Sequence, residues 1–159
     1  MQMATPRRRV AEARPPADQP DLSPLDDKLG FWLRLAQQAN FEALHRTLGP
    51  LGLTPGRLGV LLLLEANPDI RQTVLAEALH IKPSNLTVLL AALEAEGLIR
   101  RAEEAGNRRA NRLHLTSAGR ALLRQGEAAE ALTEAQLAQG LDATERAAVL
   151  AALRRIARG

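Results

Sequence analysis

The chain contains no cysteine, which removes disulfides, thiolate nucleophiles and cysteine-based metal or redox sensing together. Aromatic residues make up only 2% of it. Leu and Ala fill the apolar positions instead, and both rank high in helix propensity, so the expected fold is mainly α. No apolar run approaches the ~20 residues a membrane helix requires. The densest, Leu58 to Leu64, is far too short, and the arginines at positions 7 to 9 lack the apolar segment of a secretory signal. No membrane partner is expected, and the cytoplasm is the default location. Also missing are a Gly-rich phosphate loop, a metal cluster and a nucleophile constellation, so the chain reads as a non-enzyme without cofactor. The three histidines, His45, His80 and His114, are scattered with no metal-ligand spacing.

What remains is a chain of 159 residues with a net charge of +3. That length suits one core with an appended oligomerisation element, and the modest charge allows a polyanion partner without demanding one. Residues 1 to 23 carry four arginines among prolines and hardly any large apolar side chain, the composition of a disordered basic tail. Ser23-Pro24-Leu25-Asp26 then supplies helix-start chemistry, and a helix is expected to run to Gly49-Pro50. Its apolar residues trace more than one stripe, which calls for more than one neighbour and is a first sign of a dimer.

Thr54-Pro55 starts a second helix and Asn67-Pro68 stops it. A third, Gln72 to Leu79, is expected to present Val74, Leu75, Ala78 and Leu79 inward. After His80-Ile81-Lys82, a fourth begins at Pro83-Ser84 and ends at Gly97, with Leu86, Leu89, Leu90 and Leu93 at i, i+3, i+4 and i+7. Two short helices across so tight a turn form a helix-turn-helix. Leu98 to Arg101 and Asn111 to Leu115 then read as two strands joined through a Gly106-Asn107 turn, with Leu113 and Leu115 on a half-buried face. The layout is a winged helix-turn-helix, mainly α with a small two-to-three-stranded β wing. Thr116-Ser117 caps a long helix, expected from about Gly119 to Gln139, with Leu122, Ala129, Leu132 and Leu137 as seam positions and Gly126 as a weak point. Gly140 ends it. Asp142-x-x-Glu145 is a capping box for a last helix with Val149, Leu150, Leu153 and Ile156 on one face.

A helix-turn-helix reads DNA through residues near the start of its second helix. Lys82, Ser84, Asn85 and Thr87 hold those places. Lys82 suits a phosphate and Asn85 an adenine edge, while Ser84 can equally be the N-cap. The rest of that face, Val88, Ala91, Ala92 and Ala95, is neutral. Electrostatic weight therefore shifts to the wing: Arg108 and Arg109 at its tip suit a minor groove, and Arg101 and Arg112 suit flanking phosphates.

In order, "LTPGRLGVLLLL", "VLAEALHIKPSNLTVLLAALEAEGLIRR", "NRRANRLHLTSAGRALL" and "LDATERAAVLAALRRIA" resemble the second helix, helix-turn-helix, wing and final helix of the MarR family of bacterial transcriptional regulators. The resemblance runs from about Ser23 to the end. It implies a homodimer built from the first helix and the last two, binding double-stranded DNA at a pseudo-palindrome with recognition helices ~34 Å apart. Four regions follow: a tail at 1–23, an N-terminal dimerisation helix at 24–50, the winged helix-turn-helix at 51–116, and C-terminal dimerisation helices at 117–159.

The resemblance also implies a small organic effector, held where the first, second and fifth helices meet. Candidate lining residues are Phe31, Trp32, His45, Arg57 and Leu61, with Arg57 for an anionic group and the aromatics for a ring, as an aromatic acid or its thioester would need. Two positions depart from the family pattern. Asn107 stands where the wing usually has Asp bracing the tip arginine, and Val88 follows Thr87 where many members have Arg. The reading is thus a ligand-responsive repressor. The alternative is a winged-helix module for protein partnering or non-specific DNA packaging, without small-molecule control.

Overall fold

The computed structural model describes residues 20–104 and 107–158, with side chains at 102–111 outside the described set. The expected N-terminal tail up to Gln19 and the Gly106 half of the expected turn lie outside the described residues. Six α-helices and two strands are described: α1 Leu29–Leu48, α2 Pro55–Ala66, α3 Gln72–Ala78, α4 Pro83–Ala95, β1 Ile99–Glu104, β2 Asn107–Leu115, α5 Ser117–Leu137 and α6 Ala143–Arg158. Two compact units divide the chain at Gln37/Gln38.

In the first unit, the helix expected from Ser23 is two elements. Ser23–Leu25 form a 3-10 turn, and α1 starts only at Leu29. Leu22 is the N-cap of that turn and no side chain caps it, while the Ser23 N–H donates to Asp21 Oδ1 at 3.0 Å and holds that carboxyl below its ordinary pKa. The Trp32 indole donates to the Asp26 carbonyl at 3.0 Å and fixes the bend between turn and helix.

The second unit holds the core. Leu48, Leu58, Leu61, Leu75, Leu86, Leu90, Leu93, Ile99 and Leu113 are among its fully buried side chains. Thr54 caps α2, its hydroxyl accepting from the Arg57 N–H, and Pro55 occupies the first turn, where a missing N–H costs nothing. At seven residues α3 is less than two full turns, so its buried face reduces to Leu75 and Ala76. Val74 and Ala78, expected inward, are exposed.

The turn after α3 follows from its hydrogen bonds. His80 N–H bonds to the Glu77 carbonyl and Ile81 N–H to the Ala76 carbonyl, with His80 at φ 50°. That is a Schellman closure, the C-terminal motif that usually takes glycine at this left-handed position. The same closure ends α4, where Gly97 has φ 70° and Leu98 N–H reaches the Leu93 carbonyl. It aims the chain directly into β1.

The strands pair antiparallel, with Ile99 opposite Leu115, Arg100 opposite His114, Arg101 opposite Leu113 and Ala102 opposite Arg112. Ile99, Leu113 and Leu115 are buried, which puts the expected half-buried alternation on the core. Both strands run further toward the tip than expected, with a register shift at Glu103/Glu104. Arg71 adds a single bridge to Arg112, the rudiment of a third strand.

Thr116 caps α5, and Gly126, expected as a weak point, is where that helix meets α2: a Cβ there would lie 2.8 Å from Leu58 Cδ1. Beyond it, Thr47 and Thr133 share a hydrogen bond of 2.9 Å that satisfies the buried Thr133 hydroxyl. The Asp142/Glu145 capping box forms as expected. Asp142 N–H donates to Glu145 Oε2 at 2.9 Å, and Glu145 N–H to Asp142 Oδ1 at 2.8 Å. No residue of α6 is buried, although Val149, Leu153 and Ile156 fall on one face.

Candidate nucleic-acid interface

The candidate surface begins at the start of α4. Lys82 is its N-cap and supplies no side-chain acceptor, while Pro83 takes the first helical position. Ser84 is therefore inside the first turn rather than the N-cap. The first-turn amides carry the positive end of the helix dipole, and the exposed Lys82 adds a full charge beside them, a combination suited to a phosphate. Ser84, Asn85 and Thr87 are all exposed there.

Their donor capacities differ. Asn85 offers both an amide oxygen and an amino group, the pairing an adenine edge takes bidentately. Thr87 is more constrained. Its hydroxyl donates to the Pro83 carbonyl at 2.9 Å and accepts from Gln72 Nε2 at 2.8 Å, leaving outward a lone pair and a methyl. Past Thr87 the exposed face carries no cation: Val88 is 71% exposed, with Ala91, Ala92 and Ala95 also exposed, and the one charged residue there is Glu94. The groups of α4 suited to a polyanion thus lie at its N-cap and first turn.

The wing root carries the next cations. Arg101 is held by α4, its Nε donating to Glu94 Oε2 at 2.9 Å and its Nη1 to Gln72 Oε1 at 3.4 Å. Part of its charge is thereby compensated. Arg112 lies on β2, bridged through its backbone to Arg71, which is itself exposed. Arg100, on the sheet face opposite Arg101, is exposed too. Arg108 and Arg109 fall within β2, and their side chains lie outside the described residues.

Each candidate effector residue has a definite local setting. In the first unit, Phe31 and Trp32 pack edge to face with centroids 5.4 Å apart, and the Arg34 guanidinium covers the Phe31 ring at 5.6 Å. In the second, His45 is exposed on α1. Leu61 has no exposed surface and packs among the core leucines. Arg57 forms an ion pair with Glu96, the C-cap residue of α4, while its buried Nε has no hydrogen-bond partner among the described residues. A cleft of about 590 Å³ opens elsewhere in this unit, lined by residues including Glu65, Arg100, His114, Ser117 and Arg120 rather than by His45, Arg57 or Leu61.

Sequence reasoning missed Gln72, Glu94 and Glu96, which orient Thr87, Arg101 and Arg57. No spacing rule joins positions 15, 7 and 39 residues apart. The pairs exist only once the turn and the strand fold α3, α2 and β1 onto α4.

Comparison with known proteins agrees with this architecture. The family profile described as "MarR family" matches residues 51–110. A transcriptional regulatory protein for the hcr operon of Thauera aromatica is 33% identical over 132 residues, covering 82% of this chain and 80% of its own. Among solved structures, the transcriptional repressor CouR bound to a 23-mer DNA duplex superposes with a TM-score of 0.83 at 37% identity, covering 87% of this chain and 99% of that one. CouR bound to p-coumaroyl-CoA gives 0.78 at 36% identity, with 88% and 99% coverage. The winged helix-turn-helix with its two-stranded wing, and the identity with a regulator along four-fifths of both chains, place this chain in the MarR family of transcriptional regulators.

Proposed function

We propose that the chain is a ligand-responsive repressor that acts in the cytoplasm as a homodimer on a pseudo-palindromic operator. The observation that carries the reading is the exposed first turn of α4, where Lys82, Ser84, Asn85 and Thr87 stand beside the arginine-bearing strands. The likeness to a repressor bound to a DNA duplex supports it. In this reading Lys82 meets a phosphate, Ser84, Asn85 and Thr87 meet base edges, Arg108 and Arg109 enter the minor groove, and Arg101 and Arg112 flank it. The dimer would bury the apolar side chains that α5 and α6 expose, among them Leu132, Leu137, Val149, Leu153 and Ile156.

For the effector, Arg57 is the candidate cation for an anionic group, which would compete with Glu96 for it. An aromatic acid or its thioester fits that chemistry, and the p-coumaroyl-CoA complex of CouR supports the class.

The neutral face at Val88, Ala91 and Ala92 favours a second reading, a winged-helix module that packages DNA without sequence preference or binds a protein. One competition assay separates the two. At fixed salt, the repressor prefers the duplex upstream of its own gene over random duplex by about a thousandfold or more. Equal affinity for both sinks the repressor reading in favour of the second.

A further inference from the structure

Gln72 opens α3 beside α4, and both ends of its carboxamide are used. Nε2 donates to Thr87 Oγ1 at 2.8 Å, and Oε1 accepts from Arg101 Nη1 at 3.4 Å. The orientation follows from the partners: a guanidinium can only donate, so the carbonyl end must face Arg101 and the amino end is left for the hydroxyl. Thr87 is tied in turn to the Pro83 carbonyl, and Arg101 to the Glu94 carboxylate. One side chain therefore joins the first turn of α4 to the root of the wing.

We propose that Gln72 is a positioning residue for DNA recognition, fixing the Thr87 side chain in the orientation it presents to the major groove and coupling that orientation to the wing through Arg101. The inference rests on the DNA-binding reading above. Its physical basis is that α4 has few polar groups beyond its first turn, so the placement of each matters. A Thr side chain with one hydrogen bond to its own helix is still free to leave that rotamer, and a second bond from outside the helix holds it. The wing root feels the same bond, because Arg101 loses one of its two side-chain anchors when the amide is removed.

The test is fluorescence anisotropy with the full chain, using the duplex upstream of its own gene and a random duplex of equal length at matched salt. Gln72→Met keeps the length of the side chain and removes both hydrogen bonds. Affinity for the upstream duplex is expected to fall about tenfold, with affinity for the random duplex and Tm unchanged. In a Thr87→Ala background the same substitution is expected to cost clearly less, about threefold, because only its bond to Arg101 is left to lose.

Equal losses in the two backgrounds overturn the proposal, since a glutamine that touched DNA itself, or that served only the fold, would cost the same with or without Thr87. So does an unchanged affinity for the upstream duplex. If Gln72→Met lowers Tm, Gln72→Ala replaces it in the same cycle. A native protein with no preference for the upstream duplex overturns the DNA-recognition reading itself and the proposal with it. A preserved preference with additive losses overturns the proposal alone.

Discussion

Gly119, in the first turn of α5, lies so close to Leu98 that a Cβ on it would fall on the Leu98 carbonyl oxygen. That carbonyl cannot retreat cheaply, because it accepts from both the Thr116 N–H at 3.0 Å and the Thr116 hydroxyl at 3.1 Å. The contact joins the end of the helix-turn-helix to the start of α5. Gly126 is also tight, but its obstacles are the Leu53 and Leu58 methyls, which can turn aside. Gly119→Ala is expected to destabilise by about 3 kcal/mol or to prevent folding, the upper range for overpacking against an element that cannot yield. Gly126→Ala should fall within about 1 kcal/mol of the parent, because the gain in helix propensity offsets the crowding. Urea midpoints of the two variants check the contrast, and equal midpoints would refute it.

His80 holds φ 50° at the left-handed position that closes α3. A side chain with a Cβ pays for that backbone, and glycine does not. His80→Gly is therefore expected to stabilise by about 1 kcal/mol, raising Tm by about 2–4 °C for a domain of this size. A lower Tm would mean that the imidazole contributes more than the backbone strain costs.

Much of the fold was legible because its signals are local. Thr54-Pro55, Thr116 and the Asp142/Glu145 pair act within one helical turn of themselves, and each caps as its sequence says. The alternation of Leu113 and Leu115 likewise needs only the strand period. Ser23-Pro24 misled because its helix-start chemistry closes only a 3-10 turn, and α1 begins at Leu29. The candidate interface could be named as a set of positions on α4 and the wing. Its internal bonding could not be, since Gln72, Glu94 and Glu96 act across elements whose packing no spacing reveals.

Glu130 sits on α5 with Glu127 and Glu134 at helical spacing on either side. Partial burial, and then repulsion from Glu134 and Glu127, pushes its carboxyl above the ordinary value. A carboxyl whose folded pKa exceeds its unfolded one binds its proton more tightly in the folded state, so its ionisation opposes folding. The penalty is full at neutral pH and lifts as pH falls through the raised value toward the ordinary one. Glu130→Gln is expected to melt higher than the parent near pH 7, with the difference closing as pH falls to about 4. Parallel melting curves across that window would show that Glu130 is not the group responsible.

Arg109 tests the division of labour between α4 and the wing. With no cation on α4 from Val88 onward, a wing arginine in the minor groove should carry an unusual share of the affinity. Arg109→Ala is expected to lose about 1–3 kcal/mol for the upstream duplex. The slope of log affinity against log salt should become shallower by about one. Unchanged affinity at matched salt would remove the wing tip from the interface.

The last helix provides the test of assembly. Val149, Leu153 and Ile156 recur at i, i+4 and i+7 along α6, each more than 40% exposed, and no residue of α6 is buried. An amphipathic helix left with its apolar face open gains little from the chain's own core, so its stability has to come from another surface. If that surface is a second copy, a charge at the centre of the stripe must be desolvated on association. Leu153→Glu is then expected to shift the protein from dimer to monomer at micromolar concentration in sedimentation velocity. Affinity for a two-half-site duplex should fall at least tenfold, because two linked lobes bind together and a single lobe does not. A single half-site duplex should be bound as before, showing that the winged helix itself is intact. A variant that stays dimeric would place the dimer seam elsewhere than on α6.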